Sequence, residues 1–372
     1  MKKGLKMIGT IALGIVGLAV VGGGLFLGFS PEFGGKHSTE DIKRYEQSGH
    51  YKDGAFQNLS NTKMDMSMKD MADVTYKFLF GKGDKTPDQE PPMQKVDSMT
   101  LAQSDDDFSF MWFGHSTFFI KMGGKNILID PMFSEVPAPH PSLGGKRFQK
   151  DLPTDIDKLP EIDYVFISHD HYDHLDYNSI QRIKNKVKKY YVPLGVGAHL
   201  KEWGVATNQI EEFNWWDEQE IDSLNIAFTP ARHFSGRGLN NRFSTLWGSW
   251  VIQSKEKNIF FSGDSGYDTH FAEIGEKYGP FDLAFMECGQ YNELWNEIHM
   301  MPEETAIAAK DVKAKVMMPI HWGSFSLAMH AWTDPIVRVK NKADELNIPL
   351  IAPMVGEYVS DLERLSEKAW WE

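Results

Sequence analysis

The chain has 372 residues, with 39 Lys and Arg against 52 Asp and Glu, for a formal charge of −13. That balance argues against a nucleic-acid partner, because phosphate backbones are held mainly by clustered Lys and Arg. Apolar residues make up 41% and aromatics 13%, which supplies a sizeable core and excludes a mostly disordered chain. The single cysteine, Cys288, rules out an intramolecular disulfide and a Cys-rich zinc site, so any bound metal falls to histidines and carboxylates.

Residues 7–29, after Lys2, Lys3 and Lys6, form the one long uncharged apolar run. Its length suits a membrane-spanning helix, which needs about 20 apolar residues. A cleaved signal has a shorter apolar core, about 7–15 residues, ending at a small-x-small site. No such site follows the run, so the expectation is an uncleaved anchor at 7–29. The preceding lysines favour an extracytoplasmic catalytic domain; the cytoplasmic side, or secretion after cleavage, are the alternatives.

Residues 30–107 are polar and interrupted, and read as a tether and outer covering. They include a Met-rich patch at Met64, Met66, Met68 and Met71, a spacing that belongs more often to helix packing than to soft-metal binding. From 108 to 372 strand-like runs alternate with helical ones, which predicts one domain of α/β layers. Strands are expected at 108–120, 126–129, 164–167, 226–229, 249–253, 258–262, 282–286 and 316–320. Helical spacing joins Ile180, Ile183 and Val187, predicting a helix over 177–188. It also joins Ile336, Val339, Ala343 and Leu346, with Thr333 as N-cap. Pro302 fits the first turn of a further helix through Lys313.

The segment SHDHYDHLD at 168–176 directly follows the strand expected at 164–167. Imidazole and carboxylate are ligands that suit zinc. Three of the chain's 13 histidines within six residues are improbable as surface composition. So many ligand types in a row cannot all reach one ion, which points to two ions and to partners from elsewhere. His233, Asp264 and His321 each stand just past another expected strand.

These residues belong to a longer set of matching phrases: WFGHST at 112–117, DPMFS at 130–134, GKRF at 145–148, the 168–178 motif, WWDE at 215–218, and Thr229 with Pro230. LWGSW at 246–250, GDSGY at 263–267, GPFDLA at 279–284, His299 before Pro302, Glu303 and Glu304, and HWG at 321–323 continue it. Over about 96–350 the chain resembles the metallo-β-lactamase superfamily, and within it the N-acyl-phosphatidylethanolamine-hydrolysing phospholipase D group. The resemblance implies a four-layer αβ/βα sandwich with the site at one edge. It implies two zinc ions, other divalent metals being open. His169, His171 and His233 would hold one, Asp173, His174 and His321 the other, and Asp264 would bridge them. It further implies that a hydroxide between the ions attacks phosphorus of a membrane phospholipid, releasing phosphatidic acid and an N-acylethanolamine, with Asp173 or Asp264 managing the proton.

Among weaker candidates, His299 is expected to contact substrate. His115 is either a core histidine or part of the site wall. Tyr291 and Trp295 are candidates for lining the lipid path. Asp176 either orients a ligand histidine or caps a helix. Two departures from the group, residues 139–142 and the pair Glu287 and Cys288, bear on substrate selection. A di-zinc lactonase or another ester hydrolase is the competing reading, since the same ligands serve attack at carbon.

Overall fold

A computed structural model describes residues 16–362 and 369–372, apart from 19, 65, 82, 104 and 105. Residues 7–15 and 19 of the expected anchor lie outside the described residues. Residues 20–29 are helical, and no helix among the described residues is long and apolar enough to cross a membrane.

The covering segment holds helix α1 (Thr39–Glu46), a hairpin of β1 (Tyr51–Lys52) and β2 (Ala55–Phe56), and helices α2 (Met68–Phe80) and α3 (Ser98–Gln103). Ser38 and Ser67 open α1 and α2 with reciprocal capping boxes to Asp41 and Asp70. This segment is more than a tether: Tyr45 and Phe56 are fully buried in the main core, their tilted rings 5.3 Å apart.

Sheet one contains β3 (Phe108–Trp112), β4 (Phe118–Met122), β5 (Lys125–Ile129), β6 (Ile162–Phe166), β7 (Val187–Pro193) and β8 (Ile210–Phe213). Helix α4 (Tyr177–Ile183) joins β6 to β7, and α5 (Val196–Glu202) joins β7 to β8. Sheet two contains β9 (Glu218–Ile221), β10 (Leu224–Thr229), β11 (Ser249–Gln253), β12 (Asn258–Phe261), β13 (Leu283–Glu287) and β14 (Met317–Ile320). Helices α6 (His270–Tyr278) and α7 (Pro302–Asp311) lie between its last strands. Helix α8 (Asp334–Leu346) follows, and β15 (Tyr358–Val359) returns to the edge of sheet one beside β3. In each sheet an antiparallel meander runs into a parallel half, β5 to β8 in the first and β12 to β14 in the second.

Period-two alternation sorts the core. Phe110, Trp112, Phe118, Ile120, Ile129 and Phe166 face sheet two, while Met111, Phe113, Phe119, Leu128 and Val165 face α4 and α5. Ring contacts cross the sandwich at Phe118 and Phe285 (4.4 Å) and at Phe166 and Trp250 (5.0 Å). The result is a mixed α/β sandwich with helices outside both sheets.

The run expected at 108–120 is two strands, divided by the turn at 113–117. Gly123 and Gly124, with φ of 57° and 73°, then close the β4–β5 hairpin, a turn that requires positive φ at both positions. The helix expected over 177–188 ends at Ile183, and Val187 opens β7 instead. Helical spacing there is coincidental, because the pairing with β6 decides the conformation. The helix from Pro302 stops at Asp311, short of Lys313. Thr333 stands at the N-cap of α8, but its side chain makes no capping bond.

Candidate metal centre

Four strand ends meet at one edge of the sandwich. The loop after β6 brings His169, His171, Asp173 and His174; β10 leads to His233, β12 to Asp264 and β14 to His321. Nε2 of His169 and Nε2 of His233 lie 2.9 and 3.2 Å from Nδ1 of His171, so these three rings converge. Oδ2 of Asp173 lies 3.1 Å from Nε2 of His321 and 3.4 Å from Nε2 of His174. Asp264 stands between the two groups. Its Oδ2 is 3.1 Å from His321 and 3.8 Å from both His169 and His233, and its Oδ1 is 3.3 Å from His174.

The far side of nearly every ring is committed. His169 Nδ1 lies 2.9 Å from Ser168 Oγ, His233 Nδ1 donates to the Ile298 carbonyl at 2.9 Å, and His174 Nδ1 donates to Asp130 Oδ2 at 2.8 Å. Asp130 itself also accepts from the Ser168 amide and hydroxyl at 2.7 and 2.6 Å. With the far nitrogens held, the near ones point inward, where they could serve as ligands. His174 Nε2 and Asp264 Oδ1 are buried without a hydrogen-bond partner in the protein. Such orphaned atoms are rare in native interiors, and imidazole and carboxylate lone pairs aimed at one space fit a divalent metal.

Electrostatics agree with that donor set. Burial pushes His169 and His233 well below the usual histidine range, helped by neighbouring imidazoles, and takes His171 down to about 4 against the pull of Asp170, Asp173 and Asp264. These rings are neutral, with lone pairs to give. For His174 and His321 burial acts downward too, but Asp264 and Asp173 outweigh it, holding His174 well above its ordinary value and His321 at about 10. Asp173 and Asp264, which burial alone would raise, are held well below the carboxylate range, chiefly by His174. Metal at this end would displace imidazole protons, so its binding releases them.

The remaining candidates separate. His299 borders the cluster: its ring lies parallel to that of His321 at 5.4 Å, and its Nδ1 donates to Glu287 at 3.0 Å. His115 is fully buried behind the site, with Nε2 2.8 Å from Asp173 Oδ2. It buttresses a carboxylate instead of forming the pocket wall. Tyr291, expected along the substrate path, is 4% exposed and turned away: its hydroxyl donates to Asp334 and its ring stacks on His330 at 4.3 Å. Gln290 and Trp295 from the same loop line the pocket instead. Asp176 is a cap, accepting from the Ser179 amide at 2.9 Å and from Ser134 Oγ at 2.7 Å. The carboxylate that orients a histidine is Asp130, which sequence reasoning placed in a matching phrase without a role.

A cavity of about 280 Å³ opens over the cluster. Met64, Met66, Phe234, Trp295, Ile298 and Leu327 give it apolar walls, and Arg242 contributes a cation. The loop beneath is fastened from outside. Arg237 Nη1 donates to the carbonyls of Asp170 and Leu175, while its Nε donates to that of Glu32, and Trp203 Nε1 donates to Pro31. The segment just after the apolar N-terminal run therefore braces the metal loop.

Comparison with known proteins agrees with this architecture. Residues 125–322, more than half of the chain, match the profile described as "Beta-lactamase superfamily domain". An uncharacterized protein of Mycobacterium tuberculosis is 36% identical over 88% of this chain and 88% of its own. N-acyl-phosphatidylethanolamine-hydrolyzing phospholipase D 1 of Caenorhabditis elegans is 33% identical over 63% of this chain and 68% of its own. The fold is shared with an isothiocyanate hydrolase from Delia radicum gut bacteria, at a TM-score of 0.53 and 21% identity over 68% of this chain and 98% of that one. On the strength of its sequence match, its sandwich and its ligand cluster, the chain belongs to the metallo-β-lactamase superfamily and is a metal-dependent hydrolase.

Proposed function

We propose that the protein is a di-zinc phosphodiesterase that hydrolyses N-acyl-phosphatidylethanolamine-type phospholipids to phosphatidic acid and N-acylethanolamine. The observation that carries this reading is a largely apolar cavity over a cluster of potential metal ligands, in a chain similar to a phospholipase D named for that substrate. His169, His171 and His233 would hold one ion, Asp173, His174 and His321 the other, with Asp264 shared. When bound, such ions lower the pKa of a water from ~15.7 to about 7 and neutralise charge developing on phosphate oxygens.

The chain's own groups do the rest. Asp173 or Asp264, both ionised, would manage the proton at an Oδ atom. Phe234, Ile298 and Leu327 shelter an acyl chain and keep bulk water from the cluster, while Arg242 offers positive charge to the phosphodiester. His299, anchored through Nδ1, has Nε2 left for the substrate.

The hydrolase unit spans 108–372, and 30–107 covers it. The run at 7–29 anchors it to a membrane, with the hydrolase on the extracytoplasmic side. Met68, Met71, Tyr76, Phe78 and Phe80 of α2 are exposed and continue from the cavity's Met64 and Met66, a path for lipid from a bilayer to the site.

The test is incubation of zinc-loaded protein with N-acyl-phosphatidylethanolamine, with products identified by mass spectrometry and His171→Ala run alongside. Phosphatidic acid and N-acylethanolamine are expected from the parent protein alone. Metal-replete protein that leaves the lipid intact refutes the assignment and shifts the search to lactones and other esters.

A further inference from the structure

Glu287 ends β13 and is completely buried, beside the cluster yet outside the expected ligand set. Its backbone is pinned on both sides, since its amide donates to Ser262 Oγ at 2.9 Å and its carbonyl accepts from Thr305 Oγ1 at 2.8 Å. The carboxylate reaches three groups. Oε1 accepts from His299 Nδ1 at 3.0 Å and lies 3.5 Å from His321 Nδ1, and Oε2 accepts from the Met300 amide at 3.1 Å. The Gly289 carbonyl, 3.4 Å from His321 Nδ1, shares that second proton. Gly289 must be glycine, since a Cβ there would stand 1.8 Å from the His321 carbonyl.

A buried carboxylate is costly unless hydrogen bonds satisfy it. Here His299 Nδ1 and the Met300 amide satisfy it, and the outward nitrogen of the ring stacked on His299, that of His321, stands at 3.5 Å as a further, longer contact. One, His321, turns Nε2 to Asp173 and Asp264, at 3.1 Å from each. The other, His299, borders the substrate cavity. A neutral residue of the same size would leave both Nδ1 protons without a charged acceptor, with the Gly289 carbonyl alone left to hold that of His321, and so weaken the preference of each ring for this tautomer.

We propose that Glu287 is a positioning residue that holds the Nδ1 protons of His321 and His299 together, so that both Nε2 lone pairs face the site. One buried carboxylate thereby sets the affinity of one metal position and the orientation of a substrate-facing ring. The inference rests on the assignment of His321 as a ligand and not on the identity of the substrate.

The experiment is metal affinity of the full-length protein, by zinc competition with a chromophoric chelator and by metal analysis after dialysis, for the parent chain, Glu287→Gln and His299→Ala. Removing the orienting partner of a ligand histidine lowers metal affinity 10- to 100-fold. That loss is expected for one zinc equivalent in Glu287→Gln, with the other equivalent unchanged and both retained in His299→Ala. Two equivalents held by Glu287→Gln as tightly as by the parent overturn the proposal. As a check that needs no variant to fold, long-range 1H–15N spectra of the zinc-loaded parent should show His321 and His299 protonated at Nδ1. A proton on Nε2 of either ring overturns it as well. Because no lipid enters these measurements, weakened zinc in Glu287→Gln beside an inert parent would keep this inference and remove the phospholipase reading. Unchanged zinc beside an active parent would do the reverse.

Discussion

Replacing Asp130 with Ala should damage stability and the metal centre together. Asp130 follows β5 in a left-handed conformation, φ 41°, and is fully buried. Its carboxylate receives the Ser168 amide, the Ser168 hydroxyl and His174 Nδ1, all within 2.8 Å. Alanine leaves three donors in a site closed to water, and each unsatisfied donor costs about 1–3 kcal/mol. Some of that is returned, because burial raises the Asp130 pKa even against His174 and Ser168, so the carboxylate is itself an unfavourable guest. The net expectation is a loss of roughly 3–5 kcal/mol, a large share of the ~5–15 kcal/mol that typical domains possess. Strain at a positive φ is common to both residues and largely cancels. Urea unfolding of the metal-free protein reads the stability, and chelator competition reads the affinity, expected to fall ~10–100-fold as His174 loses its orientation. Asp130→Asn, which keeps one acceptor oxygen, should fall between. An Asp130→Ala protein within about 1 kcal/mol of the parent, with full metal affinity, would show that Ser168 and His174 are held by something else.

Changing His171 or Asp264 to Ala should abolish hydrolysis and lower bound metal; full activity in either variant would refute the two-ion assignment. Deleting residues 1–29 should free the protein from membranes while preserving turnover on detergent-dispersed lipid, and continued pelleting would assign attachment to another surface. Deleting 1–46 should do more harm, because it also removes Pro31 and Glu32 from Trp203 and Arg237 and takes Tyr45 from the core. Loss of a buried aromatic costs about 3–5 kcal/mol, so equal melting temperatures for the two truncations would contradict the bracing role. His270, buried beside Ser265, is pushed down to about 3 by burial, with Asp268 pulling upward and Arg232 downward. The unfolded chain takes up this proton below about 6.5 and the folded one does not, so stability drops as pH falls from there, by ~1.4 kcal/mol per unit. His270→Gln should flatten the slope of unfolding free energy between pH 6 and 4 by that amount, and identical slopes would remove His270 from the account.

The metal motif was legible in the sequence because its chemistry is local. Four of the expected ligands occupy one loop at a strand end, and His233, Asp264 and His321 each follow a run that reads as a strand on its own residues. Strand β13, buried on both faces, was equally clear from its apolar run at 283–286. Strand β7 was not, because Lys188 and Lys189 interrupt it and its partner β6 lies some twenty residues away. The orienting groups were illegible for the same reason. Asp130, His115 and Glu287 acquire these orienting roles only from contacts that lie 44, 58 and 12 residues away in sequence. Which residues are candidate ligands is therefore a property of local composition. Which nitrogen of each ring faces the site, which carboxylate holds it there, and that Tyr291 turns away from the cavity are decided by hydrogen bonds between loops and strand ends separated in sequence, which form only once each sheet has set its strands side by side.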